Sequence, residues 1–335
     1  MGRMHSRLAL LLASSILSVA LFELGLRVAG FRFDVAPESV EFGWPDPVER
    51  TDFFQPDPDL FWVPKDYPRK LERLHGQGAH IAFLGDSCTA LGTYPRLTVN
   101  GLGAMRPNVP IRMEMLAVAG WSSYQGLRQL ERDVLPASPK IATFYFGWND
   151  HWVGFGVEDK EISGIRVSGV PGLASLRTAQ LFFKGLIAWR SSRRGEKPNR
   201  VSAVDFRTNL RAMVRLSRQQ GVIPVLITAP TSIEVGREPE YLTDRWTRDL
   251  REVVPIHLLY SDIVRQVALE EGAMLCDVAR AFEALPSEER RQVYMKRDGI
   301  HPTRRGDRLI AETLVNCLEG SEEVRAVWVP LGSQS

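Results

Sequence analysis

The chain predicts an α/β fold, a parallel sheet with helices on both faces, and two patterns carry that prediction. From residue 77 onward, short apolar runs alternate with longer amphipathic ones, which is how doubly buried strands and their crossover helices read. Three of those runs are followed by glycine-bearing segments, Gly85-Asp86-Ser87, Gly120 and Gly147-Trp148-Asn149-Asp150. Chemistry-bearing residues then fall beyond strand C-terminal ends, where open α/β sheets bind ligands.

The first element is an apolar helix. Arg3 and Arg7 precede an apolar stretch from Leu8 to Phe22, and after Glu23 the run Leu24-Gly25-Leu26-Arg27-Val28-Ala29 continues the tendency. The core is at the upper end of a signal-peptide apolar region, about 7–15 residues, while the longer stretch approaches the roughly 20 that span a bilayer. Ser18-Val19-Ala20 offers small residues for cleavage, whereas Glu23 and Arg27, one turn apart, suit the outer interface of an anchor. The expectation for 1–30 is an uncleaved signal-anchor, with Arg3 and Arg7 cytoplasmic and the rest extracytoplasmic by the positive-inside rule. Secretion after signal cleavage is the alternative, and a buried N-terminal helix of a cytosolic protein the third reading.

Residues 31–76 follow as a connector rich in proline, acid and aromatic residues, including Pro45-Asp46-Pro47 and Pro56-Asp57-Pro58-Asp59-Leu60-Phe61-Trp62. It lacks helical periodicity, and its prolines favour an extended chain. Phe53, Phe54, Phe61 and Trp62 are too many aromatics for a solvated tether, so the segment is expected to pack along the domain surface.

The domain itself is assigned to 77–320. Strands are predicted at Ile81 to Leu84, Met113 to Val118, Ile141 to Phe146, Val222 to Thr228 and Met274 to Val278. Helices are predicted near Tyr124 to Leu135, Asp205 to Gln220, His257 to Glu271 and Arg304 to Leu318. The insertion 151–204 is long for a crossover. It holds an apolar helix, Leu173 to Arg190, followed by Arg193, Arg194 and Lys197. That helix reads either as core-facing with a solvated basic end or as a lid or membrane-facing element beside the site. Residues 321–335 form a C-terminal tail.

The chemistry starts at Ser87, which follows a β-like run and precedes a segment able to open a helix. A serine at such a turn is presented at the rim of the sheet, near backbone N–H groups of a helix start. Its hydroxyl needs a base, and His301 supplies the residue type that is neutral and basic near pH 7. Asp298, three residues earlier, is close enough on a tight turn to accept the other ring N–H. The N–H groups of Ser87 and Gly120 and the side-chain amide of Asn149 are the candidate donors to a developing oxyanion.

Four blocks in this order resemble the SGNH (GDSL-type) hydrolases, whose name lists Ser, Gly, Asn and His. Ser87 matches the first block, Gly120 the second, Asn149 the third and Asp298 with His301 the last, over roughly residues 77 to 318. The first block reads Gly-Asp-Ser-Cys-Thr without the family's leucine, which is not a catalytic group. Membrane-anchored bacterial members also often begin with an apolar segment ending in a Glu-Leu-x-Leu-Arg-like motif, as at Glu23 to Arg27. The resemblance implies a flavodoxin-like three-layer α/β/α fold with a five-stranded parallel sheet, here preceded by the N-terminal apolar helix. It also implies Ser87, His301 and Asp298 as catalytic residues, with Ser87, Gly120 and Asn149 forming the oxyanion hole.

Composition bounds the partners. The formal net charge is +2 with acids and bases interspersed, so no concentrated basic face points to nucleic acid. No cofactor is called for, and no His or Cys stands at ligand spacing from Asp298 and His301 for a metal. The three cysteines, Cys88, Cys276 and Cys317, do not read as a disulfide framework, and Cys88 is expected to pack inward. Trp121, Trp148 and Trp152 flank the motif glycines, where flat rings either bind a sugar or acyl chain or brace the loops. The expected activity is an esterase that removes an acyl group, acetyl included, from a carbohydrate or cell-envelope lipid. An O-acyltransferase acting on a surface polysaccharide and a catalytically silent envelope binding or assembly protein are the alternatives.

Overall fold

The computed structural model describes residues 2–31, 33, 53–77, 81–154, 156–165, 176–194, 197–243 and 246–328. Pro45-Asp46-Pro47, Leu173 and the end of the C-terminal tail lie outside the described residues. The chain opens with the expected apolar helix, α1 (Gly2–Val28). After it come a hairpin of β1 (Phe54–Asp57) and β2 (Phe61–Pro64) and then α2 (Tyr67–Gln77). These elements correct the picture of an extended surface connector. Tyr67, Leu71 and Leu74 recur at helical spacing and pack on the core, and Phe61 and Trp62 are fully buried rather than laid on the surface.

The domain is built on five parallel strands, β3 (Ile81–Gly85), β4 (Met113–Met115), β5 (Ile141–Tyr145), β6 (Ile223–Ile227) and β7 (Met274–Cys276), in the order β4-β3-β5-β6-β7. Four fall within predicted runs, and β3 extends its run by one residue, to Gly85. The run from Met113 loses strand geometry at Leu116, yet the Leu116 and Val118 N–H groups still donate to Phe83 and Gly85 carbonyls at 2.9 and 3.1 Å. Alternation along the strands divides the core into two faces. Ala82, Leu84, Ala142, Phe144 and Leu226 face one cluster, whereas Ile81, Phe83, Ile141, Tyr145, Val225 and Ile227 face the other.

Helices cover both. Between β3 and β5 lie α3 (Ser87–Ala90), α4 (Tyr94–Met105) and α5 (Ser123–Gln129). Between β5 and β6 lie α6 (Trp148–His151), α7 (Asp159–Ile165), α8 (Arg177–Arg194) and α9 (Ala203–Gln219). Then follow α10 (Val253–Glu271), α11 (Val278–Glu283), α12 (Ser287–Gln292), α13 (Arg304–Gly320) and α14 (Glu322–Val327). The helix expected over Tyr124 to Leu135 changes character instead: a π-helical turn spans Leu130–Val134 and a 3-10 turn carrying Pro136 ends it. A disulfide joins Cys276 at the end of β7 to Cys317 on α13. The cysteines, which do not read as a disulfide framework, thus yield one bridge after all, because residues 41 positions apart in sequence meet only once α13 packs back on the sheet. Cys88 is free and buried, as expected.

Candidate active site

The sheet order sets the site. Its first three strands carry Ser87, Gly120 and Asn149 beyond their C-terminal ends, and β3 lies between β4 and β5. Gly85 is the common reference: its carbonyl accepts the Val118 N–H, and it pairs in register with Tyr145. A side chain at Gly85 has no room, since a Cβ there would stand 2.3 Å from Thr89 Oγ1 and 2.9 Å from the Tyr145 carbonyl.

Ser87 is half-buried at the first position of α3. Asp86 caps that short helix by accepting the Cys88 N–H at 2.9 Å. Burial pushes the Asp86 carboxyl up to about 6, against the Cys88 N–H and the nearby His301 and Arg200 charges, which pull it down. The neighbouring Cys88 thiol is held well above its ordinary pKa, first by burial and then by Asp86, so it is no thiolate.

Ser87 Oγ lies 2.8 Å from His301 Nε2, and His301 Nδ1 lies 2.7 Å from Asp298 Oδ2. The same carboxylate oxygen accepts the His301 backbone N–H at 3.0 Å, while Tyr241 donates its hydroxyl to Asp298 Oδ1 at 3.0 Å. With Asp298 as acceptor, Nδ1 carries the proton and Nε2 is free to accept from Ser87. Burial pulls the imidazole toward its neutral form, but the Asp298 carboxylate, with a contribution from Asp86, outweighs it and holds the pKa above the usual 6.5. The turn is fixed from below by Gly299 (φ +76°), whose carbonyl accepts the Ser232 N–H and the Thr231 hydroxyl at 3.1 and 3.0 Å.

Gly120 also needs its glycine conformation, at φ +84°. Its carbonyl accepts from Arg200 Nη1 at 2.8 Å, and Arg200 is clamped to Asp159 by bonds of 2.9 and 3.2 Å. Both side chains of that pair are fully buried. Asp159 Oδ2 further meets the Ser122 hydroxyl at 2.7 Å, just where Ser122 caps α5. The insertion thus reaches under the Gly120 turn, a role that the sequence did not disclose, since a charged pair in a long loop reads as solvated surface. Asn149 sits on α6 and is buried, and the next residue, Asp150, accepts the Ser123 N–H at 2.8 Å.

The three tryptophans do not line an open cleft. Trp121, Trp148 and Trp152 are 0%, 2% and 5% exposed, so they brace the loops and the expectation of substrate-stacking rings is corrected. Trp121 Nε1 donates to the Trp62 carbonyl and Trp62 Nε1 to that of Ala119, tying the hairpin to the Gly120 turn. Trp148 stacks on His257 with ring centroids 3.8 Å apart. His257 Nε2 donates to the Ala229 carbonyl at 2.9 Å, leaving Nδ1 to accept from His151 Nε2 at 3.2 Å. Burial depresses both imidazoles, His257 to about 4, so this pair is neutral packing rather than a second base. Among the described residues no group of three or more His, Cys, Asp or Glu side chains is placed to hold a metal ion.

The model of the GDSL-like lipase/acylhydrolase family matches residues 83–309. No curated protein matches the chain. Among solved structures, one described as a GDSL-like lipase from Parabacteroides merdae is 16% identical, covers 72% of this chain and 95% of its own, with a TM-score of 0.49. A lipase/acylhydrolase from Enterococcus faecalis is 18% identical over 72% and 96% of the two chains, TM-score 0.48. An acetylxylan esterase from Geobacillus stearothermophilus is 20% identical over 74% and 97%, TM-score 0.47.

Proposed function

Because the chain belongs to the GDSL-like lipase/acylhydrolase family, we propose that it hydrolyses an acyl ester through an acyl-enzyme on Ser87. The observation that carries this is the continuous hydrogen-bonded line from Ser87 Oγ through His301 to Asp298, at 2.8 and 2.7 Å. Ser87 Oγ attacks the ester carbonyl carbon as its proton passes to His301 Nε2, and Asp298 holds the imidazolium that forms. The N–H groups of Ser87 and Gly120 and the Asn149 amide receive the oxyanion. Collapse expels the alcohol, which takes the proton from His301; water, deprotonated by the same nitrogen, then releases the acid and restores Ser87.

The substrate in this reading is an acyl ester, acetyl included, borne by a carbohydrate or a cell-envelope lipid. Its support is location. Within α1, Leu10–Val28 is a 19-residue stretch of mean hydropathy 1.7 with no fully buried residue, fitting a signal-anchor that leaves the domain outside. The Cys276–Cys317 disulfide suits an oxidising, extracytoplasmic compartment. The test is p-nitrophenyl acetate hydrolysis and fluorophosphonate labelling of the detergent-extracted full chain beside Ser87→Ala. Both signals should vanish in the variant. Labelling without hydrolysis turns the reading toward transfer to an alcohol, and absence of both in the folded wild type overturns it.

A further inference from the structure

The helix α8 is joined to α1 in a way the esterase chemistry does not use. The Glu23 carboxylate accepts the Arg177 N–H at 3.0 Å, the Thr178 N–H at 2.9 Å and the Thr178 hydroxyl at 3.1 Å, so a side chain of α1 caps the N-terminus of α8. Its fourth partner is Arg27, at 2.8 Å. A carboxylate near the end of an apolar helix is costly in hydrocarbon unless it is paired and bonded. Here each oxygen has partners, and they are the groups that fix α8 to this level of α1. The chain leaving α1 is held to the same helix: the Phe33 N–H donates to Gln180 Oε1 at 3.1 Å, and Lys184 Nζ lies over the Phe31 and Phe33 rings.

The two sides of α8 differ. Phe183 and Leu186 pack against the domain core. Thr178, Phe182, Gly185 and Trp189, spaced at three to four residues, line with Leu181, Leu186 and Phe22 of α1 a groove of about 570 Å³ that is almost wholly apolar, so Leu186 borders both sides. Phe182 is 66% exposed and Trp189 49%, too much large apolar surface for a helix facing water. A cation stands beside it: Arg193 lies over the Trp189 ring at 4.1 Å, while the exposed Lys184 lies toward the Phe31 and Phe33 rings. Aromatic rings next to Lys and Arg are the composition of a helix lying in a bilayer interface.

Length supplies an independent reason. The span Leu10–Val28 approaches a hydrocarbon core of about 30 Å, but its last turns carry Glu23 and Arg27, and the uncharged run before them, Leu8 to Phe22, is fifteen residues that rise about 22 Å. Phe22 is the residue at which the run ends and the α8 groove begins. An apolar surface is wanted at that depth, and α8 provides one.

We infer that α8 is a membrane-seating helix, which lies against the outer surface of the bilayer crossed by α1, with Phe182 and Trp189 among the upper acyl carbons and Arg193 against phospholipid phosphates. The inference rests on the reading of α1 as a membrane anchor. Its consequence is that the domain is held in one orientation against the lipid rather than on a free tether, so esters at the membrane surface are presented to a fixed site.

The test uses the full chain in phospholipid nanodiscs, comparing wild type with Trp189→Phe, a change at an exposed ring that leaves the fold intact. Phospholipids brominated on the upper acyl carbons should quench a component of wild-type emission that W189F lacks, and lipids brominated near the chain ends should quench that component less. Equal quenching of the two proteins by both lipids overturns the inference. So does quenching protection that appears only in discs holding two copies, which makes a second chain the occupant of the groove. Carbonate resistance of the membrane-bound protein reports on α1 alone, and fluorophosphonate labelling of Ser87 in the same discs reports on the esterase reading, so the three fail separately.

Discussion

His301 is subject to two opposed influences, burial that favours the neutral ring and a carboxylate that favours the charged one, and the second prevails. A base whose pKa is raised is protonated, and inactive, to a higher pH. The rising limb of kcat/KM for p-nitrophenyl acetate should therefore lie above 6.5, and Asp298→Asn should move it to lower pH while kcat falls by roughly 100-fold or more. A limb that stays in place in the variant would remove Asp298 from this role. Asp150 poses the converse problem of a carboxylate the protein does not pair well. Burial pushes it up to about 7, with Asp159 adding and the Ser123 N–H and Arg200 opposing. The folded state then holds a proton that the unfolded chain releases near pH 4, so this group costs stability increasingly as pH rises from 4 to 7. Asp150→Asn keeps an acceptor for Ser123 and removes that cost. Its unfolding free energy should exceed that of wild type at pH 8 by on the order of a few kcal/mol, with the gap closing toward pH 5. A gap that is constant between the two pH values would refute the assignment.

At the scale of elements, the insertion between β5 and β6 supplies Arg200 and Asp159, whose buried pair holds the Gly120 carbonyl and with it the turn proposed to carry an oxyanion donor. Removing one partner of a buried pair typically costs about 3–5 kcal/mol of stability, so the informative variant is Arg200→Lys, which keeps the charge and loses the fork. In steady-state kinetics kcat should fall by roughly 10- to 100-fold with KM little changed, below the full cost of one oxyanion donor at roughly 100- to 1,000-fold. Unchanged kcat in a folded R200K would leave Gly120 without this support. Elements of this kind mark the limit of sequence reading. Strands β3, β5 and β6 were legible because five buried residues in a row leave almost only apolar side chains, Thr143 apart, and the contacts of Ser87, His301 and Asp298 because each of those residues stands in a short block. Arg200, Asp159 and Tyr241 were not legible, since a charged or phenolic side chain in a loop carries no local sign of being turned inward. The prolines of 56–68 concealed both the hairpin and α2, which are set by Leu60, Phe61, Trp62 and Leu74 packing on the core.

For the whole molecule, the tertiary placement of α13 explains why the cysteine pairing was illegible: neither spacing nor number distinguishes Cys276 and Cys317 from two unpaired thiols. Their Cα atoms are 5.7 Å apart because β7 ends under α13, whose Ile310, Leu314 and Leu318 are buried in the sheet's second face. That helix also follows directly on His301, and its Asp307 accepts from both the Thr93 N–H and hydroxyl at 2.7 Å, so one element spans the distance from the far edge of the sheet to the segment after Ser87. Closing a loop of this length removes about 4 kcal/mol of conformational freedom from the unfolded chain. Reduction, or Cys276→Ser with Cys317→Ser, should thus lower unfolding stability by about 2–4 kcal/mol. Because the Ser87–His301 contact depends on the loop before α13 and not on the sulfur bridge itself, kcat at temperatures well below the melting point should stay within about twofold of wild type, a change of under about 0.5 kcal/mol in barrier height. Chemical denaturation with and without reductant, read beside initial rates, separates the two quantities. Loss of activity in reduced protein that is still folded would mean that the bridge holds the His301 loop directly, and no shift in the denaturation midpoint would mean that the two cysteines are not joined in the protein as it is made.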